Sequence, residues 1–206
     1  MEKKKAKMIA EVTELFMRYG IKSLTMDEVA RQLGMSKKTI YQYVSDKKDL
    51  VKQCVQLAIS DEQCILCDVK EQKGNAIDIL LDINKRVSEK IQNVQPSVMY
   101  DIERYYPEAF KIMQNHKKEF VFNMIRENME LGIKEGLYRE NLIPEIIASS
   151  YIAMTNQLFN PDPINPPKHD FKTLHKEIAR YHIRGIASEA GRKYLKEKLH
   201  TDIDNN

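Results

Sequence analysis

Lys37, Lys38, Thr39, Tyr41, Gln42 and Tyr43 crowd polar or amphipathic side chains into one short stretch. Each has a use against a nucleic acid. Lysine reaches guanine edges or phosphates, glutamine pairs with adenine, and threonine and tyrosine hold phosphates. Ile40 and Val44 interrupt the run four residues apart, the spacing of a helix face turned to its neighbours. A short helix with one apolar side and one side of such donors can lie in a major groove, provided other elements hold it there.

The residues before it supply that support. Thr25 is a good N-cap and Glu28 stands three positions on, the spacing of a capping box. Val29, Ala30 and Leu33 follow as an apolar helical face, and Gly34 stands where a left-handed C-cap residue is expected. Met35 is an apolar plug for the turn, and Ser36 caps the next helix. That helix, seven to eight residues long, is marginal alone, so Met35 and Ile40 are expected to pack. Another helix starts at Asp46. Lys47 falls in its first turn, where free N–H groups also favour an anion. Lys37, Lys38, Thr39 and Gln42 are assigned to the groove side, and Thr25, Ser36, Tyr41, Tyr43 and Lys47 to capping or to the nucleic-acid backbone. The plainer alternatives are that Tyr41 and Tyr43 cover the local core, and that Lys47 and Lys48 lie on a solvated face.

From about Lys7 to Val55 the sequence resembles the N-terminal domain of TetR-family transcriptional regulators. The matching residues are Phe16 with Gly20, Thr25 to Ala30, Leu33 to Ser36, Thr39-Ile40-Tyr41, the Tyr43-Val44 pair, Lys47 and Leu50. Family members often have Gly at the position of Lys38, His at that of Tyr43 and Phe at that of Val44. The resemblance implies an all-α fold: an N-terminal three-helix helix-turn-helix domain at 1–50, and a larger helical effector-binding and dimerisation domain at 51–206. It implies a double-stranded DNA operator, a homodimer and a small-molecule effector as partners.

Charge agrees with that division. Residues 1–50 hold eleven Lys and Arg against seven Asp and Glu, a net of +4, while the remaining residues hold 22 against 23. A positive excess confined to the head is the footprint of a phosphate binder. The run Lys3-Lys4-Lys5-Ala6-Lys7 is either an arm that touches phosphates or a solvated terminus. Across 206 residues, 42% hydrophobic and 31% charged content suits a folded helical protein. No stretch approaches eighteen apolar residues and no secretion signal is visible, so a cytoplasmic protein without a membrane partner is expected.

No nucleophile–base pair, phosphate loop or metal cluster emerges; no catalytic residue, metal or cofactor is expected. Cys64 and Cys67 form a CxxC with Cys54 ten residues upstream. A zinc site needs four ligands, which are not present in suitable spacing. The cysteines are therefore read as small apolar residues of a long helix, with thiol-redox sensing as an alternative function. A helical protein-interaction adaptor is the other.

The rest of the chain is expected to be helical. Helices are predicted from Asp46 to about Val69, Ala76 to about Val94, Ser97 to Tyr105, Pro107 to about Leu131, Pro144 to Leu158, and Asp170 or Thr173 to Ile186. A second break is expected near Gly191 and a frayed tail from Thr201. The four prolines of 160–167 mark an extended loop. Met99, Tyr100, Tyr105, Met113, Phe120 and Met124 could form an adaptable wall around a small, mostly apolar or aromatic effector, or be ordinary core. Ile147, Tyr151, Met154, Leu174, Ile178 and Tyr181 form stripes on the two helices that family members use to dimerise. His175 and His182 are read as interface or surface imidazoles. The expected function is a sequence-specific transcriptional regulator, a repressor released from its operator by the effector.

Overall fold

The computed structural model describes residues 2–72, 74–91, 94–95, 97–158 and 168–204, with side chains through Lys198. The proline-rich stretch at 160–167, Lys73 and Pro96 lie outside the described residues. Eleven α-helices and one π turn account for most of the described chain: α1 Glu2–Tyr19, α2 Met26–Gln32, α3 Lys37–Ile40, α4 Lys47–Glu71, α5 Ala76–Ile91, α6 Ser97–Tyr105, α7 Pro107–His116, a π turn Lys117–Val121, α8 Phe122–Lys134, α9 Pro144–Asn156, α10 Phe171–Ile186 and α11 Glu189–Asp204. The only extended pairing among the described residues is an isolated antiparallel bridge between Tyr138 and Ala187.

The expected long helix from Pro107 is thus divided by a π turn. The expected break near Gly191 lies instead at Ala187 and Ser188, and Gly191 sits inside α11. A Cβ on Gly191 would stand 2.1 Å from the Leu137 carbonyl oxygen, so glycine is needed here for close approach rather than for a turn. The backbone stays helical beyond Thr201 to Asp204.

The chain forms two compact units, residues 1–64 with 90–116, and residues 65–89 with 117–206. The first unit therefore joins the N-terminal helices to the start of α4 and to α6 and α7. Its core is built on Met8, Ile9, Val12 and Phe16 of α1, the inner face that helical spacing predicts. Val29, Ala30, Ile40, Val44, Leu50 and Val51 close over it, together with Val98 and Ile102 of α6.

The second unit is built around Ala76, Ile77, Leu80, Met129, Tyr138, Ile183 and Ile186. Its tightest feature is Tyr138, whose ring lies where a side chain on Gly132 would be: a Cβ there would come within 2.1 Å of the ring. The Tyr138 hydroxyl is 3.1 Å from the Ala76 carbonyl and 3.0 Å from Asn128 Oδ1, and Asn128 Nδ2 donates to the same carbonyl at 2.9 Å. Every polar atom of this buried trio has a partner, which a low-dielectric interior demands. Burial pushes the Tyr138 phenol far above its ordinary value.

Candidate nucleic-acid interface

The capping box forms. Thr25 Oγ1 accepts from the Glu28 amide at 3.2 Å, while the Glu28 carboxylate accepts from the Thr25 amide at 2.6 Å and from its hydroxyl at 2.8 Å. The Thr25 amide and hydroxyl hold the Glu28 carboxyl below the usual carboxylate range. At the other end of α2 the chain turns through Gly34 at φ +62°. The Met35 amide reaches back to the Ala30 carbonyl at 2.9 Å and the Gly34 amide to that of Arg31 at 3.2 Å. These two bonds are a Schellman motif, and they satisfy carbonyls that the helix end leaves open.

Ser36 then starts α3. Its Oγ accepts from the Thr39 amide at 3.0 Å and lies 2.8 Å from the Thr39 hydroxyl. The α-helix is shorter than the sequence suggested. After Ile40, the amides of Gln42 and Tyr43 bond three residues back rather than four, and the chain tightens through Tyr41–Tyr43. Ile40 is fully buried and Val44 nearly so, and Met35 packs against the same core, as expected.

The outward residues separate into groups. Lys38 and Gln42 are exposed, and Tyr41 is exposed too, at 43%. Lys37 is exposed but pairs with Asp27 of α2 at 3.1 Å, a link worth little in water. Thr25, Ser36 and Thr39 have their hydroxyls in the caps. Tyr43 is half-buried against the head core, the plainer of its two readings.

Lys47 has partners that no local pattern announces. Its ammonium donates to the carbonyls of Ile21 at 2.7 Å and Leu24 at 2.6 Å, in the loop between α1 and α2. Burial lowers its pKa, against an opposing pull from the Asp101 and Glu28 carboxylates. Asp101 is itself only 5% exposed and accepts the Lys22 amide at 2.8 Å. A contact across 79 residues leaves no local trace in a sequence.

The proposed effector set is divided between the units. Met99, Tyr100, Tyr105 and Met113 belong to the first, Phe120 and Met124 to the second. Tyr100 and Tyr105 are exposed and meet edge to face, with ring centroids 6.3 Å apart. Tyr105 also accepts from the Lys22 ammonium at 3.2 Å. These two tyrosines therefore line the outside of α6, because the inward positions of that helix are taken by Val98, Asp101 and Ile102. Met99, Met113, Phe120 and Met124 are half-buried.

The proposed dimer set also divides. Tyr181 is 73% exposed, and Leu174, Ile178, Ile147 and Met154 are half-buried. Tyr151 turns inward. Its ring stacks on His182 at 4.2 Å, and its hydroxyl donates to Asn84 at 2.8 Å. The open face of α9 carries Ile146, Ser149, Ser150 and Ala153 instead. This helix is apolar nearly all round, so its spacing could not say which side would be covered. His175 and His182 are buried rather than superficial, His175 stacked on Phe171 and His182 on Tyr151.

Cys54 is buried, and desolvation pushes its thiol up to about 12. Cys64 and Cys67 are exposed on α4. Among the described residues no cluster of His, Cys, Asp and Glu could hold a metal ion, and no helix is long and apolar enough to cross a membrane.

Known proteins share this arrangement. Residues 9–54 match the family model "Bacterial regulatory proteins, tetR family". An uncharacterised helix-turn-helix transcriptional regulator of Bacillus subtilis, YvaF, is 26% identical over 171 residues, covering 81% of this chain and 86% of its own. A TetR-family regulator from Agrobacterium tumefaciens superposes with a TM-score of 0.74 at 14% identity, covering 91% of this chain and 99% of its own. A transcriptional regulator from Saccharomonospora viridis, solved with choline, gives 0.73 at 13% identity, over 92% of this chain and 100% of its own. The matched segment spans the two caps, the glycine turn and the short helix described above, and on these grounds residues 9–54 are a DNA-binding domain of the kind found in TetR-family transcriptional regulators.

Proposed function

We propose that this regulator binds its operator as a homodimer, with α3 in the major groove, and that it represses transcription until a small, mostly apolar or aromatic molecule releases it. The observation that carries the reading is the outer face of α3 and its following turn. Lys38 stands exposed on α3 and Tyr41 and Gln42 on the turn that follows, while Ile40 is fully buried beneath them and the Ser36 cap pins the start of the helix. Such a face has no use in the fold. Its groups are the ones that reach phosphates and base edges. The net +4 of residues 1–50 favours the same partner.

Two copies are favoured by exposed apolar and small residues at the N-cap of α9 and on α9 and α10, namely Ile143, Ile146, Ala153, Tyr181 and Gly185. A two-fold dimer reads half-sites about 34–36 Å apart. An effector is supported by the half-buried Phe120 and Met124 of the second unit and by the choline held in the Saccharomonospora viridis structure. A ligand with greater affinity for a second arrangement of the heads shifts the population away from DNA. Coupling of about 1–3 kcal/mol would loosen the operator roughly 5- to 150-fold.

The test starts from genomic fragments recovered on the purified chain, placed before a reporter gene. Expression should fall when the chain is supplied. It should return when an organic compound handled by the products of the adjoining genes is added. Reporter expression that rises with the chain would remove the repressor assignment.

A further inference from the structure

We infer that Lys47 and Asp101 are positioning residues for DNA binding: together they hold the loop from which the helix-turn-helix starts, and Lys47 is not a phosphate contact. The inference rests on the DNA-binding role of the head and goes beyond it.

The loop between α1 and α2 exposes main-chain groups that neither helix can satisfy. Three of them are met by two side chains from elsewhere in the first unit. The Lys47 ammonium, in the first turn of α4, takes the carbonyls of Ile21 and Leu24 at 2.7 and 2.6 Å. The Asp101 carboxylate, on α6, takes the amide of Lys22 at 2.8 Å. The two acceptors of Lys47 bracket the one donor of Asp101, so opposite charges grip three main-chain groups within residues 21–24. Asp101 is nearly buried, and a buried carboxylate is retained only with partners of this kind.

The grip is reinforced. Tyr105, one turn beyond Asp101, accepts from the Lys22 ammonium, which also lies 4.7 Å from its ring centroid. The Gln95 amide donates to the Met17 carbonyl at 2.8 Å, at the end of α1. Gly20 passes so near α6 that a Cβ would stand 3.0 Å from Ser97 Oγ. Thr25, the N-cap of α2, directly follows this loop. The direction in which α2 leaves, and through the glycine turn that of α3, is set where Lys47 and Asp101 act.

The alternative use of Lys47 is as a phosphate ligand at a helix N-terminus, which its position in the sequence invites. The two readings differ in salt dependence. Each phosphate contact contributes about one unit to the slope of log K against log salt. A positioning residue contributes to affinity and nothing to the slope.

The experiment uses the full chain and two duplexes: one recovered from random-sequence DNA with the wild-type chain, and one unselected duplex of the same length. Fluorescence anisotropy is read across a salt series. Lys47→Met should lose roughly ten-fold or more on the recovered duplex, keep its affinity for the unselected one, and leave the slope unchanged. Lys38→Ala, by contrast, should reduce the slope. Asp101→Ala should lose recovered-duplex affinity to a similar extent. Asp101→Asn keeps an oxygen for the Lys22 amide and should restore most of it, a rescue that simple loss of folding would not show. Equal loss on both duplexes with a slope lowered by about one unit for Lys47→Met would overturn the inference, as would Asp101→Ala with wild-type affinity. If Lys47→Met fails to fold, the wild-type chain carries the test. The nitrogen signal of the Lys47 ammonium should be the same with and without the recovered duplex, and a displacement on binding overturns the assignment. Failure of the wild-type chain to recover any duplex would remove the DNA-binding role itself, and with it this inference.

Discussion

The Met35 amide donates to the Ala30 carbonyl at 2.9 Å, across the turn that joins α2 to α3. The bond can form because Gly34, between them, adopts φ +62°. A side chain at Gly34 would meet no atom within 4 Å, so any cost of adding one comes from the backbone alone. Gly34→Ala should therefore destabilise the chain by about 1–2 kcal/mol without disturbing its packing. Urea unfolding would measure it, with an unchanged m-value as the sign that compactness is kept.

The cap of α3 gives a second prediction. Ser36→Ala removes the acceptor for the Thr39 amide and should cost about 1 kcal/mol, whereas Ser36→Gly should cost only a few tenths. Recovered-duplex affinity should fall with the first and change little with the second. Equal loss for both would mean that the Ser36 hydroxyl acts on DNA rather than on the helix.

His182 makes stability depend on acid. Burial lowers its pKa from the ordinary 6.5 to about 4. Between those values the unfolded chain binds a proton that the folded chain does not, so stability rises with pH across that window and is fully present above it. Falling pH should remove about 3 kcal/mol by the time the folded-state value is passed. His182→Phe keeps a ring against Tyr151 and should flatten this limb of a denaturation series taken from pH 7 to pH 4. An unchanged limb would assign the acid sensitivity elsewhere, His175 being next, since burial lowers its pKa as well.

The inward turn of Tyr151 and the outward turn of Tyr181 predict opposite behaviour. Tyr181→Asp puts a charge on an exposed ring position of α10 and should shift the molar mass in solution from dimer to monomer, weakening DNA binding with it. Tyr151→Phe removes the hydroxyl bonded to Asn84 and should cost about 1 kcal/mol of stability while leaving the dimer intact. Sedimentation together with thermal melting separates the two outcomes.

Local features were legible in the sequence because their causes are local. Thr25 with Glu28, Gly34 with Met35, and Ser36 with Thr39 act over three to five residues, and each forms the contact that its spacing promised. The helices of the remaining chain were found for the same reason, from periodicity and caps such as Asp170 with Thr173. What escaped depends on distance along the chain or on a choice between equal faces. Lys47 meets carbonyls more than twenty residues away, and Asp101 an amide 79 residues away. Ala148 and Tyr151 of α9 are covered while Ile146 and Ala153 are open, a choice that a helix apolar on most sides does not reveal. The π turn at Lys117–Val121 inserts no proline or glycine that would mark it.

The account stands most directly on base reading by α3. Wild type and Gln42→Ala should be passed side by side through selection from random-sequence duplex DNA. The wild-type chain should enrich a motif of two symmetric half-sites, and Gln42→Ala should enrich one altered at a base position within each half-site. No enrichment by wild type, or an identical motif from both chains, would contradict it.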